Sequence, residues 1–195
     1  MLLSSTALRR GHLYRPVLAC CIDGRLQYSL GLQRILEVRK RDQRFAAADA
    51  AIKATEADIR HGGNWAFYCP SADYIQLPHR HQFSLPEYYE TAFHELSHWT
   101  EHRSRLDCDR SLPENSYAFM ELRAELGGCF LAAELGLPTA QRLENHASYL
   151  QNWLKEMAGD PKYIFRAAAQ AAKAADFILA FSREPVEEQE EALVV

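Results

Sequence analysis

Paired cysteines are missing. The five thiols, Cys20, Cys21, Cys69, Cys108 and Cys129, are an odd number with no CxxC among them, which fits a reducing compartment and argues against a disulfide framework or a thiolate zinc site. A basic surplus is missing too. Twenty-two Lys and Arg stand against 26 Asp and Glu, a formal charge of -4 with a pI near 6.1, so charge alone announces no nucleic-acid module. The chain also has no long apolar run. Val17 to Ile22 is too short for a secretory core, and nothing later approaches the roughly 18 apolar residues of a membrane span. These absences read as a cytoplasmic chain. What remains, 48% apolar and 25% charged over 195 residues without repeats or linkers, is one-domain globular composition and excludes disorder, collagen and coiled coil.

Residues 1 to about 40 show no sustained periodicity and predict two or three short strands at most. From Arg41 the Ala-rich, charged run predicts a helix ending near Thr55, followed by an extended piece at Asp58 to Arg60 and a break at His61, Gly62 and Gly63. Trp65 to Cys69 and Tyr74 to Leu77 are β-prone runs joined by Pro70, Ser71, Ala72 and Asp73, a hairpin signal. Ser84 and Glu87 have capping-box spacing, with Pro86 in the first turn, and open a helix carrying YYETAFHELSHWTEH. Pro113 and Glu114 predict the start of another helix, stopped by Gly136 and Pro138, whose internal Gly127 and Gly128 imply close packing against a neighbour. Further helices are predicted over about Thr139 to Met157 and, with Asp160 as N-cap and Pro161 at N1, through IFRAAAQAAKAADFILAF. This order describes one α+β domain dominated by helices. Residues 1–44 read as an N-terminal extension, 45–181 as the domain, and 182–195 as an acidic tail.

His94-Glu95-Leu96-Ser97-His98 is an HExxH on the predicted helix. At 3.6 residues per turn the two His share a face one turn apart, where their imidazoles can converge on one Zn2+. Glu95 is displaced around the helix, where it can act as a general base toward the attacking water. A third ligand is required. His102 is excluded by reach, since i to i+8 spans about 12 Å of helix axis, and no Gly-containing turn follows His98 to bring a later His back. The downstream helix offers Glu121 and Glu125 one turn apart. In a Glu-zincin arrangement the first binds metal and the second hydrogen-bonds a ligand His, so Glu121 is assigned to the metal and Glu125 behind it. The plainer reading of this acidic pair is a solvated or salt-bridged face involving Arg123.

Tyr117, one turn before Glu121, reads either as a core tyrosine or as an oxyanion stabiliser. Phe93, Trp99, Phe119 and Phe130 read as core. His79 and His81 read as solvated loop residues, with a cleft-rim or second-metal role as the sharper alternative, and His146 is needed for no ligand set.

The segments ADIRHGG (57–63), AFYCPSADYIQLP (66–78), YYETAFHELSHWTEH (88–102), SRL (104–106) and YAFMELRAELGGCFLAAELGL (117–137) together resemble the metallopeptidase domain of ArdC-type antirestriction proteins, the domain also found in plasmid TraC-type primases and in polyvalent proteins. The similarity extends over about residues 45–181. It implies a zincin-like fold, mostly helical, with a small sheet whose hairpin flanks the HExxH helix, and it implies carriage on mobile elements that protect incoming DNA. The N-terminal single-stranded DNA-binding domain usual in the family has no counterpart in residues 1–44. Met120 stands where the family often has Glu, and Glu101 where it often has Gly.

The expectation is a zinc-dependent metallopeptidase acting on a peptide or protein. Its alternative is a non-catalytic binding protein with a structural or vestigial zinc site that acts on DNA or a host restriction component. Basic residues gather in VRKRDQR, 38 to 44, but the chain is net acidic, so single-stranded DNA binding is expected to be weak at most, falling steeply with salt.

Overall fold

The computed structural model describes residues 20–22, 25–27, 30–112, 115–138 and 147–183. The chain divides into two compact units between Asp42 and Gln43. In the first, strands β1 (Cys20–Ile22) and β2 (Arg25–Gln27) pair antiparallel, with Cys21 opposite Leu26. Helix α1 runs Leu30–Ala54, so it starts eleven residues before the predicted Arg41. The charged stretch 34–44 is exposed throughout and carries no apolar period from which a sequence reading could find that start.

Among the described residues, the second unit holds the end of α1, a three-stranded sheet and four further α-helices. Strands β3 (Asp58–His61), β4 (Phe67–Cys69) and β5 (Tyr74–Leu77) lie in the order β3-β5-β4, with β3 parallel and β4 antiparallel to β5. The β4–β5 hairpin turns where Pro70 to Asp73 predicts it, and Asp73 takes the left-handed backbone at φ 50°. Along β5, Ile75 and Leu77 are fully buried while Tyr74 and Gln76 are half-buried, the alternation of a strand with one face on a core.

That core is completed by helix α2 (Leu85–Trp99). Tyr89, Ala92, Phe93 and Leu96 recur at helical spacing and join Ile75, Leu77, Leu131 and Ile178 in one cluster; each large apolar side chain so buried contributes about 1.5–3 kcal/mol. At the N-terminus of α2 the Glu87 carboxylate accepts the Ser84 N–H at 2.8 Å, as the capping-box spacing predicts. Helix α3 (Tyr117–Glu134) begins three residues beyond Glu114, with Ser116 as its cap accepting the Phe119 N–H at 3.4 Å. Pro113 and Glu114 themselves lie outside the described residues. The helix stops in a Schellman motif. Gly136 at φ +63° donates to Ala133 and Leu137 to Ala132, a turn that favours glycine.

Helix α4 spans Ala147–Gly159; the predicted start near Thr139, and His146, lie outside the described residues. Helix α5 (Tyr163–Ala180) starts two residues after Pro161. The N-cap is Lys162, a correction to the Asp160 and Pro161 assignment, and Asp160 accepts the Lys162 N–H at 2.9 Å in the turn before the helix. Phe93, Trp99 and Phe119 are core residues, whereas Phe130 is 36% exposed, a correction to its core assignment. No helix among the described residues is long and apolar enough to cross a membrane.

Gly127 and Gly128 let α3 approach α2. A Cβ on Gly127 would stand 2.5 Å from Ser97 Oγ and 3.1 Å from Ser97 Cβ, and one on Gly128 would stand 3.4 Å from the His94 backbone N. Ser97 is fully buried and its hydroxyl donates to Phe93 O at 2.8 Å, so it has little freedom to yield. Gly127→Ala is therefore expected to destabilise the fold by about 1–3 kcal/mol through overpacking. Urea unfolding checks this, and an unchanged midpoint would show that the two helices can part at no cost.

Candidate metal centre

Helix α2 places His94 and His98 one turn apart on the face turned toward α3, and α3 brings Glu121 up from the opposite side. The two Nε2 atoms stand 3.2 Å apart, Glu121 Oε2 lies 3.5 Å from His94 Nε2, and Glu121 Oε1 lies 3.5 Å from His98 Nε2. One ligand atom from each residue falls within 4.8 Å of the others. Donors at about 2.0–2.1 Å from a tetrahedral ion stand roughly 3.3–3.4 Å from one another, so these separations fit a single divalent cation. Among the described residues the set is two imidazoles and one carboxylate, three protein ligands with a vertex left over, whereas structural zinc sites are closed by four.

The electrostatics ask for a cation as well. Burial works against charge on Glu121, but its contacts with His94 and His98 outweigh this and hold the carboxyl far below the usual range. Burial likewise opposes charge on His98, yet the hydrogen bonds and charges of Glu101 and Glu121 push it up to about 9. Carboxylates that draw a proton onto an imidazole can be satisfied instead by a metal ion, which displaces that proton.

Glu95 is buried beside the same two imidazoles on α2. Burial raises its carboxyl above the ordinary range, while the neighbouring His94 and His98 and a hydrogen bond from the Tyr68 backbone N–H pull the other way. Tyr68 lies on β4, so the hairpin reaches the general-base candidate directly. Arg105 holds that hairpin in place. It donates to Trp99 O at 2.5 Å, to Tyr68 Oη at 3.1 Å and to both Asp73 carboxylate oxygens, and its guanidinium stacks over the Trp99 ring.

The remaining candidates are distributed unevenly. Glu125 Oε1 lies 3.5 Å from His94 Nδ1, on the side of the ring away from Glu121. Tyr117 is the first residue of α3 and 61% exposed, which corrects the core reading of that side chain. His102 falls beyond the end of α2 and contacts Ser104 at 2.7 Å. His79 and His81 are exposed and stack on each other around a short 3-10 turn, Arg80–Gln82.

Two residues of the site escape a sequence reading. Glu101 is buried with Oε1 2.6 Å from His98 Nδ1, and Arg123, instead of sharing an exposed face with Glu121 and Glu125, is fully buried and donates to Ser97 O at 2.9 Å and Thr100 Oγ1 at 2.6 Å. The signal for Glu101 was its position, three residues beyond His98 and hence on the same side one turn later.

The family model for a zincin-like metallopeptidase matches residues 46–170, more than half of the chain. Among curated proteins, a DNA primase TraC of Escherichia coli is 45% identical over 159 residues, 78% of this chain but 15% of the primase. The uncharacterised protein y4eC of Sinorhizobium fredii is 35% identical over 139 residues, 70% of this chain and 45% of that protein. Among solved structures, the Mn(II)-bound antirestriction ArdC protein from plasmid R388 superposes with a TM-score of 0.63 at 42% identity, covering 71% of this chain and 53% of that one. Its metal-free form gives 0.62 at 43% identity, covering 70% and 50%. The chain thus spans about half of the ArdC chain and a small part of the primase.

Proposed function

Since the chain belongs to the zincin-like metallopeptidase family, we propose that it hydrolyses peptide bonds with Zn2+ held by His94, His98 and Glu121 and with Glu95 as general base. The observation that carries this reading is the buried Glu95 carboxylate beside an open three-donor set. A bound divalent ion there would supply Lewis acidity toward a water and a substrate carbonyl. Two imidazoles with one carboxylate favour zinc, and the Mn(II) in the related ArdC crystal structure makes manganese the second ion to test.

The chain's own residues then have definite tasks. Glu95 takes one proton from the water as its oxygen bonds to the carbonyl carbon, and returns it to the departing amine nitrogen as the C–N bond breaks. The Tyr68 N–H orients that carboxylate. The Tyr117 phenol, one turn before Glu121, is assigned to the developing oxyanion. Similarity to a plasmid antirestriction protein supports a role in the defence of a mobile element, and the proposed substrate is a peptide or protein.

The test uses the full chain loaded with Zn2+ or Mn2+ and an unbiased library of proteome-derived peptides read by mass spectrometry. New termini that appear with metal and vanish with a chelator are expected. A fully metal-loaded chain that cuts nothing in the library would favour a binding protein whose metal centre is structural.

A further inference from the structure

The geometry points to Glu101 as a positioning residue of the metal centre, fixing the His98 ring with its proton on Nδ1 and the Nε2 lone pair toward the cation. The inference rests on the metal site proposed above and adds a residue to it. Glu101 is 6% exposed. Its Oε1 lies 2.6 Å from His98 Nδ1, Arg110 Nε donates to its Oε2 at 2.7 Å, and Arg123 Nη1 stands 3.4 Å from Oε1. Arg110 Nη2 also lies 3.1 Å from His98 Nδ1, so that nitrogen faces both an acceptor and a donor.

Chemistry decides between them. An ionised carboxylate has only lone pairs to offer, and at 2.6 Å an unprotonated Nδ1 would set lone pair against lone pair. Nδ1 therefore carries the proton and donates it to Glu101. In the metal-binding imidazole the remaining lone pair is then on Nε2, the atom that stands 3.2 Å from His94 Nε2 and 3.5 Å from Glu121 Oε1.

The carboxylate is itself held from two directions. Arg123, fully buried on α3, is fastened to Ser97 O and Thr100 Oγ1 at the end of α2, while Arg110 reaches in from the loop that follows. Two guanidinium groups thus donate to Glu101 and hold it aimed at the ring. On His94 the corresponding carboxylate, Glu125, stands at 3.5 Å, so of the two His rings His98 has the shorter contact to its supporting acid.

A merely structural Glu101, serving as counter-ion for Arg123, would affect folding but not metal affinity per folded molecule. The experiment measures Zn2+ affinity by competition with a chromophoric chelator in wild type, Glu101→Ala and Glu101→Gln. It also records the exchange rate of the His98 Nδ1 proton by NMR in the Zn2+-loaded chain. Glu101→Ala is expected to weaken Zn2+ binding by roughly 10–100-fold and to expose the Nδ1 proton to fast exchange. Glu101→Gln, which keeps an oxygen opposite Nδ1, is expected to recover most of both. Either readout unchanged in folded Glu101→Ala overturns the inference, as does a Gln variant no better than Ala. Should Glu101→Ala fail to fold because Arg123 has lost its carboxylate, Glu101→Ala with Arg123→Met is compared with Arg123→Met alone. The same weakening is expected there, and equal affinities overturn the inference. A wild-type chain that binds no Zn2+ would instead contradict the metal site itself, and Glu101's role with it.

Discussion

Glu95→Gln is expected to leave the fold and the metal content intact while lowering peptide hydrolysis by roughly 10²–10⁴-fold, the range that a positioned general base contributes. The two side chains have the same shape, and Glu95 is assigned no metal bond that the exchange could remove. What changes is the ability to accept a proton. Glu95 is buried against His94 and His98 with the Tyr68 N–H directed at it. The comparison requires equal metal occupancy in both proteins, checked by elemental analysis, and a substrate found with the wild type. Undiminished hydrolysis by Glu95→Gln would remove Glu95 from the reaction. An antirestriction effect in cells that survives Glu95→Gln would separate that effect from proteolysis.

The second large effect concerns the ligands. His94→Ala, His98→Ala and Glu121→Ala each take one of three donors from the set, and each is expected to abolish stoichiometric metal binding at micromolar protein. Glu125→Ala acts through His94 alone, at 3.5 Å, and should cost only the roughly 10–100-fold that loss of a supporting carboxylate produces. Thermal unfolding gives an independent reading. An ion present at about 1,000 times its Kd stabilises the native state by about 4 kcal/mol, so wild type and Glu125→Ala should melt higher when saturated with Zn2+, and the three ligand variants should not. Full occupancy in Glu121→Ala together with loss in Glu125→Ala would reverse the roles of the two carboxylates.

What could be read from the sequence was whatever depends on near neighbours along the chain. The HExxH face, the capping box at Ser84, the turn from Pro70 to Asp73 and the stop at Gly136 are all set within a few residues, and each appears in the fold where its spacing predicts. Glu121 is singled out by the need of a zincin-like site for an acid on a following helix, not by any local pattern. Helix α1 is longer than its pattern suggests because its exposed charged turns carry no apolar period.

Tertiary partners were out of reach. Arg123 reads as part of an exposed acidic face, but close packing of α3 on α2 turns it inward to Glu101, 22 residues earlier in the chain. Glu101 looks incidental until that packing removes water from around it. Phe130 and Tyr117 depart from the core reading for the converse reason: aromatic type favours burial, but Phe130 is 36% exposed and Tyr117, in the first turn of α3, is 61% exposed.

The most direct measurement is a crystal structure of the full chain grown with Zn2+, with anomalous diffraction recorded on both sides of the zinc edge. One strong anomalous peak per chain is expected, bonded by His94 Nε2, His98 Nε2 and a Glu121 oxygen, with a water in the fourth position and Glu95 within hydrogen-bonding reach of that water. A peak held by other residues, or a fourth protein ligand closing the site, would contradict the account.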